Sequence, residues 1–223
     1  PLGSTLENLK ITTNVCELLR KGLFKQLINF SSSEAYGTAK KVPMNEEHPL
    51  NPETPYAASK AGSDMIVDSY YRTFKLNTCT LRPFNNYGPR QNAGKFAGII
   101  PLTVKRMMNN ENIVINGDGE QTRCFTYVDD LAEGIVLLGM KASNEAFNIG
   151  SERETKISEL AQMIWKIIGK SGDIKLKSVE SYKDDVRRRV PNCGKIRERF
   201  GWEPKTPLED GLKRSVEWLM RHK

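Results

Sequence analysis

A tyrosine and a lysine four residues apart, Tyr56 and Lys60, form a candidate proton-handling pair in this 223-residue sequence. On a helix, side chains at this spacing lie on the same face, one turn apart. An ammonium near a phenol favours the phenolate and lowers its pKa, which suits a tyrosine that removes a proton from a hydroxyl. The spacing alone is weak, because a chain with 7 tyrosines and many lysines forms such a pair readily by chance.

The segment "SSSEAYG", residues 31–37, adds hydroxyl and carboxylate groups ahead of this pair. The apolar residues before it predict a short strand, so the serines would lie at the carboxyl edge of a parallel sheet, where α/β proteins bind ligands. There one of the serines could hydrogen-bond the same substrate hydroxyl as Tyr56 and help to pass its proton. A turn that only satisfies its own backbone explains any one of the serines, but it explains the whole set poorly.

The elements that must position these groups are predicted to alternate between helix and strand. "STLENLKITTNVCELLRKG" has helical spacing of apolar residues, with Ser4 and Glu7 as a capping box. "KQLINFSS" predicts a buried strand, "PYAASKAGSDMIVDSYYRTFK" a helix that starts at Pro55, and "NTCTLRPF" the next strand. Helices alternating with strands in this way predict an α/β protein with a parallel sheet.

The second part of the sequence has shorter elements. We expect residues 1–95 to contain the parallel sheet, and residues 96–223 to form mainly a smaller mixed α/β lobe with some elements that return to the sheet. A late helix is predicted to start at Thr206, Pro207 and Glu209. Only two strands, in residues 1–95, are assigned directly to the sheet.

Composition excludes several functional classes. The net charge of +7 comes from scattered basic residues without a nucleic-acid-binding motif, and no apolar run is long enough to cross a bilayer. The four cysteines are spread singly, which argues against a zinc site and a disulfide framework. We therefore expect a cytoplasmic protein with reduced thiols, no bound metal, and neither nucleic acid nor membrane as a partner.

A series of motifs, taken in order, is similar to those of a known family. They are "SSSEAYG", "PYAASK", "RPFNNYGPRQ", "GDGEQTRCFTYVDD" and "DDVRRRVPN...FGWEPKTPLEDGL". Together they resemble the extended short-chain dehydrogenase/reductase family, in particular the NAD-dependent nucleotide-sugar epimerases and dehydratases. The resemblance runs over essentially the whole chain. It implies a Rossmann-like sheet that binds NAD, a lobe that binds a nucleotide-diphosphate sugar, and a homodimer.

The resemblance also implies roles for individual residues near the cofactor. Ser32, Tyr56 and Lys60 match the catalytic residues of the family. The resemblance implies that Tyr56 and Lys60 also bind the cofactor, Lys60 through the nicotinamide ribose. Asn8, in "NLKITTN", and Phe84, in "RPF", match positions that contact the cofactor.

Substrate-binding roles are implied for a second group of residues. Ser32 contacts the sugar, Asn85 meets the substrate diphosphate, and Arg123 and Arg189 match arginines that grip it. A guanidinium suits this role because it can bind phosphate oxygens in a bidentate way. The remaining arginines of these motifs are expected to be solvated surface residues: Arg90, Arg187 and Arg188.

Glu34 bears on the reaction that the family resemblance implies. Such a site oxidises the 4-hydroxyl of the sugar, and similar enzymes that dehydrate or decarboxylate the 4-keto sugar often have a glutamate at this position. Ser33 replaces the aspartate of the dTDP-glucose dehydratases. We therefore expect a nucleotide-sugar 4,6-dehydratase, with Glu34 as a further catalytic residue. A 4-epimerase, a decarboxylase and a non-catalytic nucleotide-sugar binding module stay open as alternatives.

The glycine-rich GxxGxxG motif, with which the family holds the pyrophosphate of NAD, is absent from these 223 residues. The N-terminal β-α units of the Rossmann-like fold are expected to be missing as well. We therefore expect this chain alone to bind NAD weakly and to be inactive, and its exposed apolar surface to favour association.

Overall fold

The computed structural model describes residues 2–94, 97–141, 144–172, 174, 176–179 and 186–222. The helices are α1 Leu2–Arg20, α2 Pro55–Phe74, α3 Ile99–Met108, α4 Val128–Lys141, α5 Ile157–Ile167, α6 Gly194–Phe200 and α7 Leu208–Arg221. The strands are β1 Leu27–Phe30, β2 Thr78–Pro83, β3 Asn86–Tyr87, β4 Ile113–Asn116, β5 Thr122–Cys124, β6 Thr126–Tyr127, β7 Glu145–Ile149, β8 Glu154–Lys156 and β9 Leu176–Val179.

The main sheet is parallel and has the strand order β1-β2-β7. The expectation of only two strands in this sheet is therefore wrong. The third strand, β7, comes from the later part of the chain. In the central strand β2, Leu81 pairs with Phe30 of β1 on one side and with Phe147 of β7 on the other. The sequence "AFNI" is apolar enough to be buried against β2, which is why it lies in the main sheet. The observed architecture confirms the predicted α/β class.

Helices α1 and α2 pack against each other, with α2 over the sheet. Helix α1 begins at Leu2, so Ser4 lies inside the helix and the predicted capping box is wrong. Helix α2 begins as predicted, with Pro55 in its first turn. The hydroxyl of Thr54 accepts a hydrogen bond from the Ala57 N–H at 3.1 Å, which satisfies one of the free donors of the first turn.

A buried ion pair joins α2 to the sheet. Arg82 Nε of β2 lies 2.9 Å from Asp64 Oδ2 of α2, and both side chains are at most 9% exposed. Asn29 of β1 donates to the other oxygen of Asp64 at 3.0 Å. Arg82 also donates to the Tyr36 hydroxyl at 2.9 Å, and this hydroxyl donates to Asn148 of β7 at 2.7 Å. All three strands and α2 are thus connected by one polar network.

A second hydrophobic core lies among α3, α5 and α7, with Val104, Leu160 and Leu212 almost fully buried. Helix α7 begins at Leu208, later than the predicted start at Thr206. The Thr206 hydroxyl is directed instead to Asp130 of α4, to which it donates at 3.1 Å. The short sheets β4-β9 and β5-β8 complete this part of the chain.

We predict that Arg82→Met lowers the free energy of unfolding by about 3–5 kcal/mol, because it leaves the buried Asp64 carboxylate without its charged partner. Arg72→Met is the matched control, since Arg72 pairs with Asp68 on the surface at 75% side-chain exposure. The control should stay within about 0.5 kcal/mol of the wild type. Urea unfolding followed by circular dichroism measures both, and equal losses would contradict the role given to the buried pair.

Candidate active site

The turn after β1 brings Ser32 and Glu34 to the carboxyl edge of the main sheet. The Ser31 N–H donates to Leu81 of β2 at 2.8 Å, which continues the strand pairing to this point. Ser32 then caps a short 3-10 turn, Ser33–Tyr36, and its hydroxyl accepts from the Glu34 N–H at 3.2 Å. The turn ends at Gly37, where a Cβ would collide with the carbonyl oxygen of Asn51. Glycine is therefore required where this turn meets the loop before α2.

Tyr56 and Lys60 lie in the first turns of α2, facing this edge. The Tyr56 side chain is 49% exposed, whereas Lys60 is partly buried. Lys60 Nζ donates to the Phe30 carbonyl at the end of β1, at 2.8 Å, and lies 6.0 Å from the centroid of the Tyr56 ring. The lysine thus connects α2 to the end of β1, directly before the serines.

The pKa of Tyr56 is raised above its ordinary value, mainly because burial disfavours the phenolate. A hydrogen bond with Ser32 lowers this pKa, and the charge of Glu34 raises it. The prediction that Lys60 lowers the pKa of Tyr56 is therefore wrong for this structure, because the ammonium is directed to the Phe30 carbonyl. Burial lowers the pKa of Lys60 itself, and the nearby Asp64 carboxylate opposes that shift.

The Glu34 carboxylate is not used to hold its own turn. Within the described ranges it forms no hydrogen bond, and the cap of the turn is supplied by Ser32. Its charge is nevertheless close enough to Tyr56 to raise the pKa of the phenol. The structure thus brings Ser32, Glu34, Tyr56 and Lys60 together at one sheet edge.

The two other residues assigned to the cofactor are engaged in packing. The Asn8 amide of α1 donates to the Ser59 hydroxyl of α2 at 2.9 Å, next to Lys60 in the sequence. Phe84 follows β2 and is fully buried, with its ring centroid 6.3 Å from that of Tyr36. Both residues support the site from inside the protein, and their contact with the cofactor stays a prediction.

Two residues of the site fit the nicotinamide end of NAD. An ammonium has three N–H donors, and only one bond of Lys60, to Phe30, is described, so donors remain for a ribose hydroxyl. Tyr56 is exposed enough to be reached. Tyr56 and Lys60 would hold the nicotinamide ribose, and NAD, when bound, supplies the hydride acceptor. The 223 residues contain no glycine-rich turn for its pyrophosphate.

A cavity of about 430 Å³ is lined by Asn85, which follows β2, and by Arg123 of β5. Asn85 has a positive φ of 35°, and its side-chain amide donates to the Cys124 carbonyl at 3.2 Å. Arg123 donates to the carbonyls of Thr122 and Val186, at 2.9 and 2.7 Å. Two residues that were predicted to bind the substrate diphosphate therefore share one cavity.

The segment 186–191 runs beside this cavity and carries Arg189. It is joined to β5 by a hydrogen bond from the Thr122 N–H to the Arg187 carbonyl, and to the loop before α2 by one from Met44 to Val190. Arg189 is only 8% exposed. The surface arginines of this segment form ion pairs instead: Arg187 with Asp118 and Arg188 with Glu154.

Sequence reasoning missed several residues that support or line the site. Tyr36, Arg82 and Asn148 form the polar network beneath it, and Arg106 of α3 lines the cavity. The spacing of Leu102, Thr103 and Arg106 on one helix face was the available signal for the cavity lining.

All four cysteines are buried free thiols, at Cys16, Cys79, Cys124 and Cys193. Among the residues that the structure describes, no cluster of three or more His, Cys, Asp or Glu side chains is arranged to bind a metal ion. None of the helices in those same ranges is long and apolar enough to span a membrane.

A parallel α/β sheet with a serine, a tyrosine and a lysine at its edge, beside an arginine-lined cavity, defines a class of nucleotide-sugar-modifying proteins. The family model described as GDP-mannose 4,6 dehydratase matches residues 5–215 of this chain. The chain therefore belongs to this family of nucleotide-sugar epimerases and dehydratases, within the short-chain dehydrogenases/reductases.

Proteins that are similar to this chain in sequence are named for different activities. DesIV, a dTDP-glucose 4,6-dehydratase from Streptomyces venezuelae solved with NAD bound, is 31% identical with a TM-score of 0.90, over 97% of this chain and 66% of that one. UDP-glucose 4-epimerase from Thermotoga maritima, solved with UDP-glucose, is 35% identical with a TM-score of 0.88, over 95% and 68%. UDP-glucuronic acid decarboxylase 1 from Xenopus tropicalis is 30% identical over 99% and 53%. The chain thus spans 53% to 68% of the length of these relatives.

We predict opposite shifts of the Tyr56 pKa in two variants. Ser32→Ala should raise it further, because the hydrogen bond that favours the phenolate is lost, and Glu34→Gln should lower it, because a negative charge is removed. The tyrosinate absorbance during a pH titration measures this, with the matching Tyr56→Phe variant subtracted in each case. Ser69→Ala, at an exposed position later on α2, is the control and should leave the titration unchanged. Shifts in the same direction would contradict the assigned contacts.

Proposed function

We propose that this chain provides the catalytic and substrate-binding part of an NAD-dependent nucleotide-sugar 4,6-dehydratase. The observation that carries the proposal is the Glu34 carboxylate, which lies near Tyr56 and is not needed to cap its own turn. A 4-epimerase only has to return a hydride to the sugar, whereas a dehydratase needs a further acid or base to eliminate water. The proposal assigns this role to Glu34.

Each catalytic side chain has a defined task in this reaction. Tyr56 removes the proton of the sugar 4-hydroxyl, and Ser32 hydrogen-bonds the same oxygen and passes the proton. Lys60 holds the cofactor ribose, since donors of its ammonium remain beside the bond to the Phe30 carbonyl. Glu34 then takes the proton from carbon 5 of the 4-keto sugar and passes it to the hydroxyl of carbon 6, which leaves as water. NAD, when bound, would accept the hydride of carbon 4 and supply it to carbon 6, so the 4-keto group is kept. The raised pKa of Tyr56 suits the later transfer of its proton to carbon 5.

The proposed substrate is a nucleoside diphosphate sugar. Asn85 and Arg123 line one cavity, and the segment that carries Arg189 borders it, so cationic groups are available for the diphosphate. Binding of the distant nucleotide then orients the sugar at the sheet edge. The binding energy of the nucleotide can in this way increase the rate of the reaction at the sugar. The related epimerase from Thermotoga maritima was solved with UDP-glucose, which supports this substrate class.

We also propose that the protein forms a homodimer through α1 and α2. Apolar side chains on the outer faces of these helices are more than 40% exposed, and buried contacts would remove them from water: Leu6, Ile11, Leu18, Met65 and Phe74. The predicted cytoplasmic location and the boundary between residues 1–95 and 96–223 stay predictions.

An activity assay tests the proposed reaction. The longest protein encoded in frame with this chain is incubated with NAD and a panel of UDP-, GDP- and dTDP-sugars. We expect NMR to show a 4-keto-6-deoxy sugar, and Glu34→Gln to reduce its formation on the order of 100-fold, since a positioned acid or base contributes that much. Glu47→Gln is the control because Glu47 is an exposed carboxylate in the loop before α2. A 4-epimer as the sole product would overturn the assignment of Glu34.

The 223 residues alone should bind NAD more weakly than micromolar, because they lack the glycine-rich turn on which the pyrophosphate rests. Isothermal titration calorimetry with NAD measures this, and UDP is the reference ligand for the separate cavity. Micromolar binding of NAD to these residues would contradict the expectation.

A further inference from the structure

A second arginine, Arg106 of α3, lines the cavity that contains Asn85 and Arg123. It is partly buried, and its Nη1 donates to the Val114 carbonyl of β4 at 3.3 Å. Within the part of the chain that the structure describes, Arg106 forms no ion pair with a carboxylate. A guanidinium carries five N–H donors and no acceptor, so most of its donors stay available for a ligand that offers acceptor atoms.

The two arginines reach the cavity from different walls. Arg106 is held against β4 by the Val114 carbonyl, whereas Arg123 is held by the Val186 carbonyl, next to the segment with Arg189. A nucleotide with its diphosphate at Arg123 therefore presents its base toward α3 and β4. The side chains there, Leu102 and Ile115, are apolar and suit the faces of a flat base.

We propose that Arg106 determines which nucleobase is accepted, by donating to a carbonyl oxygen at position 4 of a pyrimidine or position 6 of a purine. Uracil, thymine and guanine have a carbonyl at this position. Cytosine and adenine have an amino group there, so its N–H donors would face the N–H donors of the Arg106 guanidinium. A partly buried guanidinium that loses its acceptor is left unsatisfied, so rejection of the amino bases is strong. The substrate class is thus narrowed to keto-base nucleotides.

This inference rests on the proposed function only in taking the cavity as the nucleotide site. It does not depend on the reaction at the sheet edge, because nucleoside diphosphate binding requires neither NAD nor Glu34. Binding measurements on the 223 residues therefore test it separately from any product assay.

The test uses calorimetry with two matched pairs of ligands, UDP against CDP and GDP against ADP. We expect the wild-type chain to bind the keto member of each pair with a Kd lower by on the order of 10- to 100-fold. This is the difference expected when one charge-assisted hydrogen bond forms with one ligand and cannot form with the other. Arg106→Met should remove this preference, and Arg106→Lys should keep part of it, because the charge remains without the guanidinium fork. Arg123→Met should weaken both members of each pair about equally.

Controls separate base recognition from general damage. Arg187→Met removes an exposed arginine that is paired with Asp118 and should leave the preference unchanged. Thermal unfolding of each variant checks that the fold is retained, since Arg106→Met also loses the bond to Val114.

Each result supports or overturns the assignment. Equal weakening of UDP and CDP by Arg106→Met would make Arg106 a phosphate contact and overturn the inference. Absence of nucleotide binding by the wild-type chain would overturn it as well. A keto-base preference that depends on Arg106, together with a failed dehydratase assay, would support the inference and overturn only the proposed reaction.

Discussion

The buried ion pair between Arg82 and Asp64 is the constraint on which the rest of the site depends. Neither charge can stay buried without its partner, so α2 has one permitted position over the sheet. Asp64 lies one helical turn after Lys60, and Lys60 one turn after Tyr56. The positions of Tyr56 and Lys60 are therefore tied to an ion pair beneath them that involves neither side chain.

The candidate residues fall into two groups in the structure. The candidate proton-transfer residues lie at the carboxyl edge of the main sheet, on a capped turn and the start of a helix. Two candidate substrate-binding residues, Asn85 after β2 and Arg123 of β5, line a cavity that short strands and α3 enclose. Strand β7 connects the two parts because it pairs with β2 while its Asn148 joins the network under the turn. Both groups are thus held by connected elements of the fold.

Local signals predicted much of this structure. Thr54 and Pro55 predicted the start of α2 because a cap and a proline act within one turn, and the ordered motifs indicated the family. Thr206 misled because a tertiary contact replaced its local role, as its bond to Asp130 shows. Ser4 misled because α1 begins before it, at Leu2. The raised pKa of Tyr56 and the buried network of Tyr36, Arg82 and Asn148 depend on burial and on neighbours far apart in sequence. No local pattern encodes such effects.

The hydrogen bond between Tyr36 and Asn148 joins residues 112 positions apart, and this separation affects the order in which the protein folds. During synthesis, the turn with Ser32 leaves the ribosome long before its partner on β7 exists. Arg82 and Asp64 also need the surrounding sheet before their charges are shielded from water. The sheet edge with the serine turn therefore forms late, after non-local strand pairing, which is slow compared with helix formation. Until then the nascent chain depends on its helices for structure.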